Sequence, residues 1–266
     1  MKNKIAFVAL FLLFGASTFA QSGLHIGFTF TPSSVFIVNQ NNFETLDRVS
    51  VISRSELDYK LKWGYTAGLQ LGFNFNKHLG LQTGVGYVRT GQNYEDTFNP
   101  GPPYPTPYNV VRKVDLRYIR VPLALSYKFH FNNTKFKMYT SIGPYFGWLL
   151  NASESVTLND TVRTDLTPAI EKFNSFDIGM SVGVGGEYFI TKNLYLNLGL
   201  AIDYGFTDMN GSAVKNLDWF SKNDVGYKKS NNFNAGLSVG VHYLFNPRAS
   251  NPFKKKGGGS DVSMHY

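Results

Sequence analysis

The sequence contains no cysteine, which excludes disulfide bonds and also excludes a membrane anchor attached through a lipidated cysteine. It has no apolar run of about 20 residues, so a transmembrane form of this chain must cross the bilayer as a β-barrel. Its glycine clusters lie within strand-like sequence and no helix follows them, which excludes nucleotide-binding loops. The chain is instead rich in β-forming residues: of its 266 residues, 16% are aromatic and 26 are glycine. This composition favours a single β-rich domain.

The formal net charge of +8 is concentrated at the two ends of the chain. The first four residues hold two lysines, and residues 247–266 contribute three net charges, from Arg248, Lys254, Lys255 and Lys256 against Asp261. The central part carries only the remaining three charges and has no basic stripe interleaved with aromatic side chains. The sequence therefore argues against a nucleic-acid partner.

The ends of the chain differ in character from its middle. Residues 1–20 predict a cleaved secretory signal peptide, because Lys2 and Lys4 precede an apolar run and small residues lead to Ala20. Residues 21–246 form the predicted exported domain. Residues 247–266 have no periodicity and contain Lys254, Lys255 and Lys256, so we expect a flexible basic tail.

Residues 193–207 show the organising pattern of the domain most clearly. Apolar side chains from Leu194 to Phe206 occupy every second position, while Gly199, Ala201 and Asp203 lie among the residues of the other face. At roughly 3.3 Å per residue, a tilted strand of this length crosses a bilayer core. The apolar face would contact lipid, and the polar, glycine-rich face would line a lumen.

The same alternation recurs along the chain and predicts eight strands, with Pro122 and Pro144 inside two of them, where we expect local bulges or a lengthened ladder. The predicted strands are 24–31, 63–75, 79–87, 119–131, 138–148, 176–188, 194–207 and 233–245. Long loops at 32–60, 92–112, 151–172 and 208–229 alternate with short turns. This alternation is typical of an all-β, eight-stranded antiparallel up-and-down transmembrane barrel with long extracellular loops and short periplasmic turns. An even strand number places both termini in the periplasm.

Aromatic residues mark both ends of the predicted strands and indicate two interfacial girdles. Those at the loop ends are Trp63, Trp148, Tyr204 and Phe206, and those at the turn ends are Phe75, Phe129 and Phe245. The rival interpretation is a soluble lipocalin-like barrel with its apolar face inward. It is the weaker one, because the glycine-rich face would then be the water-exposed surface.

Three segments, RYIRVPLALSYKF (117–129), GPYFGWLL (143–150) and FDIGMSVGVGGEYF (176–189), resemble the PorT-like outer-membrane β-barrel family of Bacteroidota. The resemblance spans roughly residues 24–245, and the pattern from Tyr118 to Leu123 is its most recognisable part. It implies an eight-stranded barrel in the outer membrane of a Gram-negative bacterium. The namesake of the family serves protein export by the type IX secretion system, which implies an accessory role in such a machine. No motif here separates the secretion branch from other members.

Ionisable residues occupy inward positions of the predicted strands. They are Arg120, Asp177 and Asp203 towards the loop end, and Lys128, Glu187, His25 and His242 towards the turn end. In an eight-stranded barrel side chains fill the interior, so we expect an ion-pair plug across the lumen. A narrow proton or solute path is the alternative. No metal site and no cofactor site is predicted.

An outer-membrane lipid-modifying enzyme is the second class considered. Ser238 lies near His25 and His242, but the sequence sets no carboxylate beside them, and His78 and His130 lie near turns. We therefore predict a non-enzymatic barrel.

Recognition at the cell surface is the third class, because the long loops carry Tyr94, Tyr104, Tyr108, Trp219 and Phe220. These aromatic residues would either anchor a partner or cap the barrel mouth. The partners expected from the sequence are outer-membrane lipid and lipopolysaccharide, together with envelope proteins bound through the loops or the C-terminal tail.

Overall fold

The computed structural model describes residues 23–38, 58–98, 107–131, 135–163, 169–215, 227 and 229–245. The predicted signal peptide and the basic tail with Lys254, Lys255 and Lys256 lie outside this part of the chain, as do Tyr104, Trp219 and Phe220. The strands are β1 (Leu24–Val38), β2 (Tyr59–Lys60), β3 (Lys62–Asn74), β4 (Leu79–Phe98), β5 (Tyr108–His130), β6 (Phe136–Leu158), β7 (Thr161–Arg163), β8 (Phe176–Phe189), β9 (Leu194–Gly205) and β10 (Asn231–Leu244). Two helices of one turn, α1 (Ala169–Lys172) and α2 (Ser212–Lys215), lie in the loops.

Eight long strands close into an antiparallel ring. Each pairs with its neighbour in sequence, and β1 joins the ends of the sheet, since Phe28 lies opposite Leu69 of β3 and Val241 of β10. The short strands β2 and β7 extend this ring beside β4 and β6. The prediction of an eight-stranded up-and-down outer-membrane barrel is confirmed.

The alternating pattern determines which side chains face outward. Large apolar residues at the outward positions are exposed, for example Leu69 at 60% and Leu200 at 59%. The inward positions between them are polar, charged or glycine. None of the helices in the described ranges is long and apolar enough to cross a membrane.

Strands β1, β4, β5 and β6 run farther than the sequence predicts, and β1 reaches Val38 within the predicted loop 32–60. β4 continues to Phe98 and β5 begins at Tyr108, so both enter the predicted loop 92–112, and β6 continues to Leu158 within the predicted loop 151–172. These loop boundaries were wrong because the prediction followed outward apolar residues, and that pattern stops where the strands leave the bilayer. There β4, β5 and β6 continue as strands, but their outward face becomes polar and their inward face becomes apolar.

Of the two outcomes predicted at Pro122 and Pro144, the bulge is wrong. The β5–β6 pairing is interrupted between the rungs Pro122–Tyr145 and Leu125–Ile142, but its register does not change there. Thr83 partly compensates by donating a hydrogen bond of 2.8 Å to the carbonyl oxygen of Pro122. The observed register shift lies at Arg117/Tyr118 instead.

Candidate functional site

The lumen contains a layer of buried charge towards the end of the barrel that carries the long loops, called here the loop end. Arg120 donates from Nη1 to Oδ2 of Asp203 at 2.6 Å, and its guanidinium carbon lies 3.9 Å from the ring centre of Tyr145. Asp177 accepts hydrogen bonds from the Tyr145 hydroxyl and the Asn232 amide, each at 3.1 Å. The structure thus brings Arg120, Asp203 and Asp177 into one layer that spans the lumen.

A second charged layer lies towards the opposite, turn end. Lys128 Nζ lies 2.7 Å from Glu187 Oε1 and 5.7 Å from the ring centre of Tyr195. Lys137 Nζ lies 4.4 Å from the ring centre of Phe189. The sequence analysis omitted Lys137 because it precedes the predicted strand 138–148, although its odd number matches the inward face of β6 and the structure buries it. Both Lys128 and Glu187 are almost fully buried, so the pair lies across a low-dielectric interior.

Two histidines lie beside this layer. The rings of His25 and His242 are buried with their centres 5.8 Å apart, and the His242 ring stacks on Tyr195 at 4.8 Å with an interplanar angle of 7°. Glycines on neighbouring strands make room for the rings, since a Cβ atom at Gly72 would lie 2.0 Å from His25 Nε2. A Cβ atom at Gly27 would lie 2.2 Å from His242 Nδ1. These glycines are required by the rings they face.

A polar cavity of about 120 Å³ lies between the two charged layers. Its lining includes Gln70, Gln82, Asn197, Ser238 and His242, and Gln70 donates a hydrogen bond of 3.2 Å to Gln82. A cavity of this size and polarity can hold water molecules.

The mouth of the barrel is filled by apolar side chains, which we call the mouth cluster. Its members are Ile37, Val88, Tyr94, Val110, Val114, Leu116, Tyr118, Ala152, Leu158, Phe173 and Met209. The cluster includes Tyr94, which is fully buried in β4 and is not a loop residue available to a partner. The mouth cluster closes the loop end above the Arg120 layer.

A buried carboxylate, Glu154, holds the helix α1 against the mouth cluster. It lies 2.5 Å from Arg112 of β5 and 2.8 Å from Lys172 of α1, and all three side chains are at most 7% exposed. Burial opposes ionisation of Glu154, but the two cations outweigh it and hold the pKa of this carboxyl below its usual value. The sequence analysis missed this group, although Arg112 shares the inward face of β5 with Arg120.

The geometry does not assemble the catalytic set considered from the sequence. Ser238, His242 and Glu187 line the same cavity, yet neither ring nitrogen of His242 has a hydrogen-bond partner among the described residues. His78 and His130 lie apart from the lumen near the turns, with ring centres 5.3 Å apart. No group of three His, Asp or Glu side chains within the described ranges is placed to hold a metal ion.

The predicted girdle residues all point away from the lumen. Those at the loop end are Trp63, Trp148, Tyr204 and Phe206, and those at the turn end are Phe75, Phe129 and Phe245; each is at least 37% exposed. Trp148 also lies 5.4 Å from Phe176 of the next strand, measured between ring centres. The apolar band between the two rings is the surface that faces lipid.

Comparisons with solved structures find several outer-membrane proteins to which this chain is similar. Neisserial surface protein A is 15% identical over 83% of this chain and 96% of its own, with a TM-score of 0.42. OprG from Pseudomonas aeruginosa is 11% identical over 85% of this chain and 97% of its own, with a TM-score of 0.40. The outer membrane protease OmpT from Escherichia coli is 11% identical over 85% of this chain and 98% of its own, with a TM-score of 0.34.

Comparison with curated protein sequences gives no match. A family model does match, over residues 19–211, and it is described as the outer membrane protein beta-barrel domain. The matched region contains nine of the ten strands, all except β10. The chain therefore belongs to the outer membrane protein beta-barrel domain family, whose members reside in the bacterial outer membrane.

Proposed function

We propose that this protein is a non-enzymatic outer-membrane barrel that serves as a structural or accessory subunit of an envelope assembly. The observation that carries the proposal is the filled lumen. The mouth cluster, the layer of Arg120 and Asp203, and the layer of Lys128 and Glu187 lie one below another across the interior. A barrel filled in this way contributes through its surfaces and not through a pore.

The type IX protein secretion machine is the assembly that fits best. The argument is the PorT-like pattern from Tyr118 to Leu123, in which Tyr118 and Arg120 face inward and are buried while Ile119 faces outward. In this proposal both termini lie in the periplasm, and Lys254, Lys255 and Lys256 bind an acidic surface of a periplasmic partner.

The non-enzymatic assignment is based on the unpaired histidines. A serine nucleophile needs a base within about 2.6–3.2 Å, and the base needs a third group to orient it. Among the described residues His242 has neither partner. The buried carboxylates Glu187 and Glu154 and the partly buried Asp203 are each paired with a cation.

A mild-detergent pull-down from native outer membranes tests the accessory role. It compares the full chain with a chain truncated after Phe245 and with a variant in which Lys254, Lys255 and Lys256 are replaced by glutamine. We expect a defined set of envelope proteins, in fixed ratio, that is lost on truncation and reduced in the glutamine variant. Recovery of the full chain alone would overturn the proposal.

A narrow channel is the second candidate, and the polar cavity between the two charged layers favours it. Conductance of the purified protein in planar bilayers separates the two functions. The filled lumen predicts no steps above the bilayer background, with a porin recorded in the same chamber as the positive control. Reproducible steps would favour the channel.

A further inference from the structure

The outward surface of the barrel carries a cluster of cations just beyond the loop-end girdle. Arg89 of β4 and Arg117 of β5 lie directly opposite each other in register, and Lys113 follows on the same face of β5. Lys62 reaches this cluster from β3, with its Nζ atom 3.8 Å from Asp115. Lys62 itself is buried, and its Nζ donates to the carbonyl oxygen of Val114. We call the three outward cations Arg89, Lys113 and Arg117 the basic patch.

The basic patch is not neutralised by the residues around it. Asp115 is the one carboxylate within it, and it accepts three hydrogen bonds from Arg89, at 2.5, 3.0 and 3.1 Å. Arg117 and Lys113 are exposed and form no ion pair with any described residue. Three cations against one carboxylate leave a net charge of +2.

Such an arrangement is unfavourable unless an anion occupies it. Like charges directly opposite on neighbouring strands destabilise a sheet, and Arg117 faces Arg89 on one side and the neutral Asn151 of β6 on the other. Glu95, the next outward carboxylate on β4, pairs with Val111 and thus lies one row farther from the bilayer than Lys113. The patch therefore carries positive charge that no neighbouring carboxylate balances at the level of the two arginines.

The level of the patch relative to the bilayer is set by its neighbours. One row below Arg89 and Arg117, the outward residues are Tyr87, Ile119 and Trp148, which lie side by side on β4, β5 and β6. Aromatic side chains of this kind mark the interface between acyl chains and headgroups. The cations are thus placed where the phosphates of membrane lipids lie.

Among the described strand positions at the loop end, outward-facing charge lies on one side of the barrel. On the opposite wall the described outward strand positions are uncharged, and they include Phe36, Val38, Phe176, Tyr204 and Phe233, while the exposed Lys229 lies outside the strands. A uniform solvated rim would carry charge on both sides. The asymmetry indicates a localised ligand.

We infer that the basic patch binds the phosphate groups of a phosphorylated glycolipid headgroup, of the lipid A class, in the outer leaflet. The arginines contact phosphate with the planar donor groups that suit it, while Trp148 and the apolar wall below contact the acyl chains. This site is independent of any protein assembly, so its failure would leave the accessory role untouched.

Native mass spectrometry of the full folded chain in detergent, with diphosphorylated lipid A as the probe, tests the inference. The test variant carries Arg117→Gln and Lys113→Gln. The matched control carries Lys77→Gln and Lys192→Gln, two exposed lysines at the turn end, and so loses the same net charge. The heat-dependent gel shift of barrels verifies that both variants are folded.

We expect the test variant to bind lipid A roughly 30-fold more weakly, because each cation near an anionic lipid surface contributes about 1 kcal/mol. The control variant should bind as the unchanged protein does. Lipid A lacking its phosphates should bind weakly to all three proteins, and millimolar inorganic phosphate should not displace the lipid.

Three results would overturn the inference. The first is an equal loss of affinity in the test and control variants, which would indicate unspecific attraction. The second is lipid A binding that does not depend on its phosphates or that free phosphate abolishes. The third is unchanged lipid A binding in the test variant together with loss of a co-purifying envelope protein, which would make the patch a protein contact.

Discussion

In the two halves of strand β5 the same alternate positions face inward, but the polarity of the two faces is reversed. From Ile119 to Phe129 the outward residues are apolar, and the inward residues include Arg120 and Lys128. From Asn109 to Arg117 the outward residues are mostly polar or charged, and the inward residues are mostly apolar. Even-numbered residues face inward in both halves, although the register of β5 with β6 shifts at Arg117/Tyr118.

The difference shows that solvent decides the polarity of each face. Inside the bilayer, lipid covers the outer surface and the hydrated lumen receives the polar residues. Beyond the bilayer, water covers the outer surface, and the interior becomes an ordinary apolar core. The reversal between Arg117 and Ile119 therefore marks the membrane boundary.

The largest expected effect concerns the charge buried in the mouth. Glu154→Gln removes the buried carboxylate that Arg112 and Lys172 both contact, and breaking a buried pair in this way costs about 3–5 kcal/mol of unfolding free energy. Denaturant unfolding in detergent, followed by tryptophan fluorescence, measures the cost. Glu95→Gln, at an exposed position of β4, is the control and should change the free energy by less than about 0.5 kcal/mol. Equal effects of the two substitutions would show that the mouth is not a buried core.

The second prediction compares the same substitution in the two halves of β5. Leu116→Ala removes a fully buried side chain from the mouth cluster and should cost about 2–5 kcal/mol. Leu125→Ala removes a side chain that faces lipid and should cost only about 0.5 kcal/mol. The same unfolding assay measures both. Similar costs at both positions would contradict the change from a lipid-facing surface to a packed core.

A third, smaller effect tests the packing of the lumen. Gly72→Ala forces a methyl group into the ring of His25 and should cost about 1–3 kcal/mol, the usual range for an overpacked interior. His25→Ala in the same chain should restore most of that stability, because the added methyl group then has room. Gly147→Ala is the matched control, since its Cβ atom would meet neighbours only at 3.4 Å or more. If the double variant does not recover this stability, the cost arises from the backbone at position 72 and not from the contact with His25.

The smallest expected effect is a pH dependence of the unfolding free energy, which arises from the mouth and not from the lipid-facing wall. The pKa of Glu154 is lower in the folded protein than its ordinary value of 4.5, so this group stabilises the fold above that value. Its contribution is lost as the pH falls from about 4.5 through the folded pKa. The difference in unfolding free energy between the unchanged protein and Glu154→Gln should therefore shrink between pH 5 and pH 3. A difference that stays constant over this range would mean that Glu154 is not ionised in the fold.

The sequence by itself determined the number of long strands, the lipid-facing side of each and the apolar band between the aromatic positions. These features follow from a period of two, which is local and can be read without knowing which strands pair. The inward placement of Arg120, Asp203, Lys128 and Glu187 follows from the same parity.

Contacts between strands determine how far β1, β4, β5 and β6 extend and which inward residues meet. The apolar inward residues of β5 that precede Arg117 become buried only when β1, β4, β6 and α1 surround them. Their local sequence pattern therefore resembles that of a loop. The pairing of Glu154 with Arg112 and Lys172 and the approach of Arg117 to Arg89 depend on the register of neighbouring strands. Register is a non-local property of strand pairing, and for that reason it could not be predicted from the residues of any one strand.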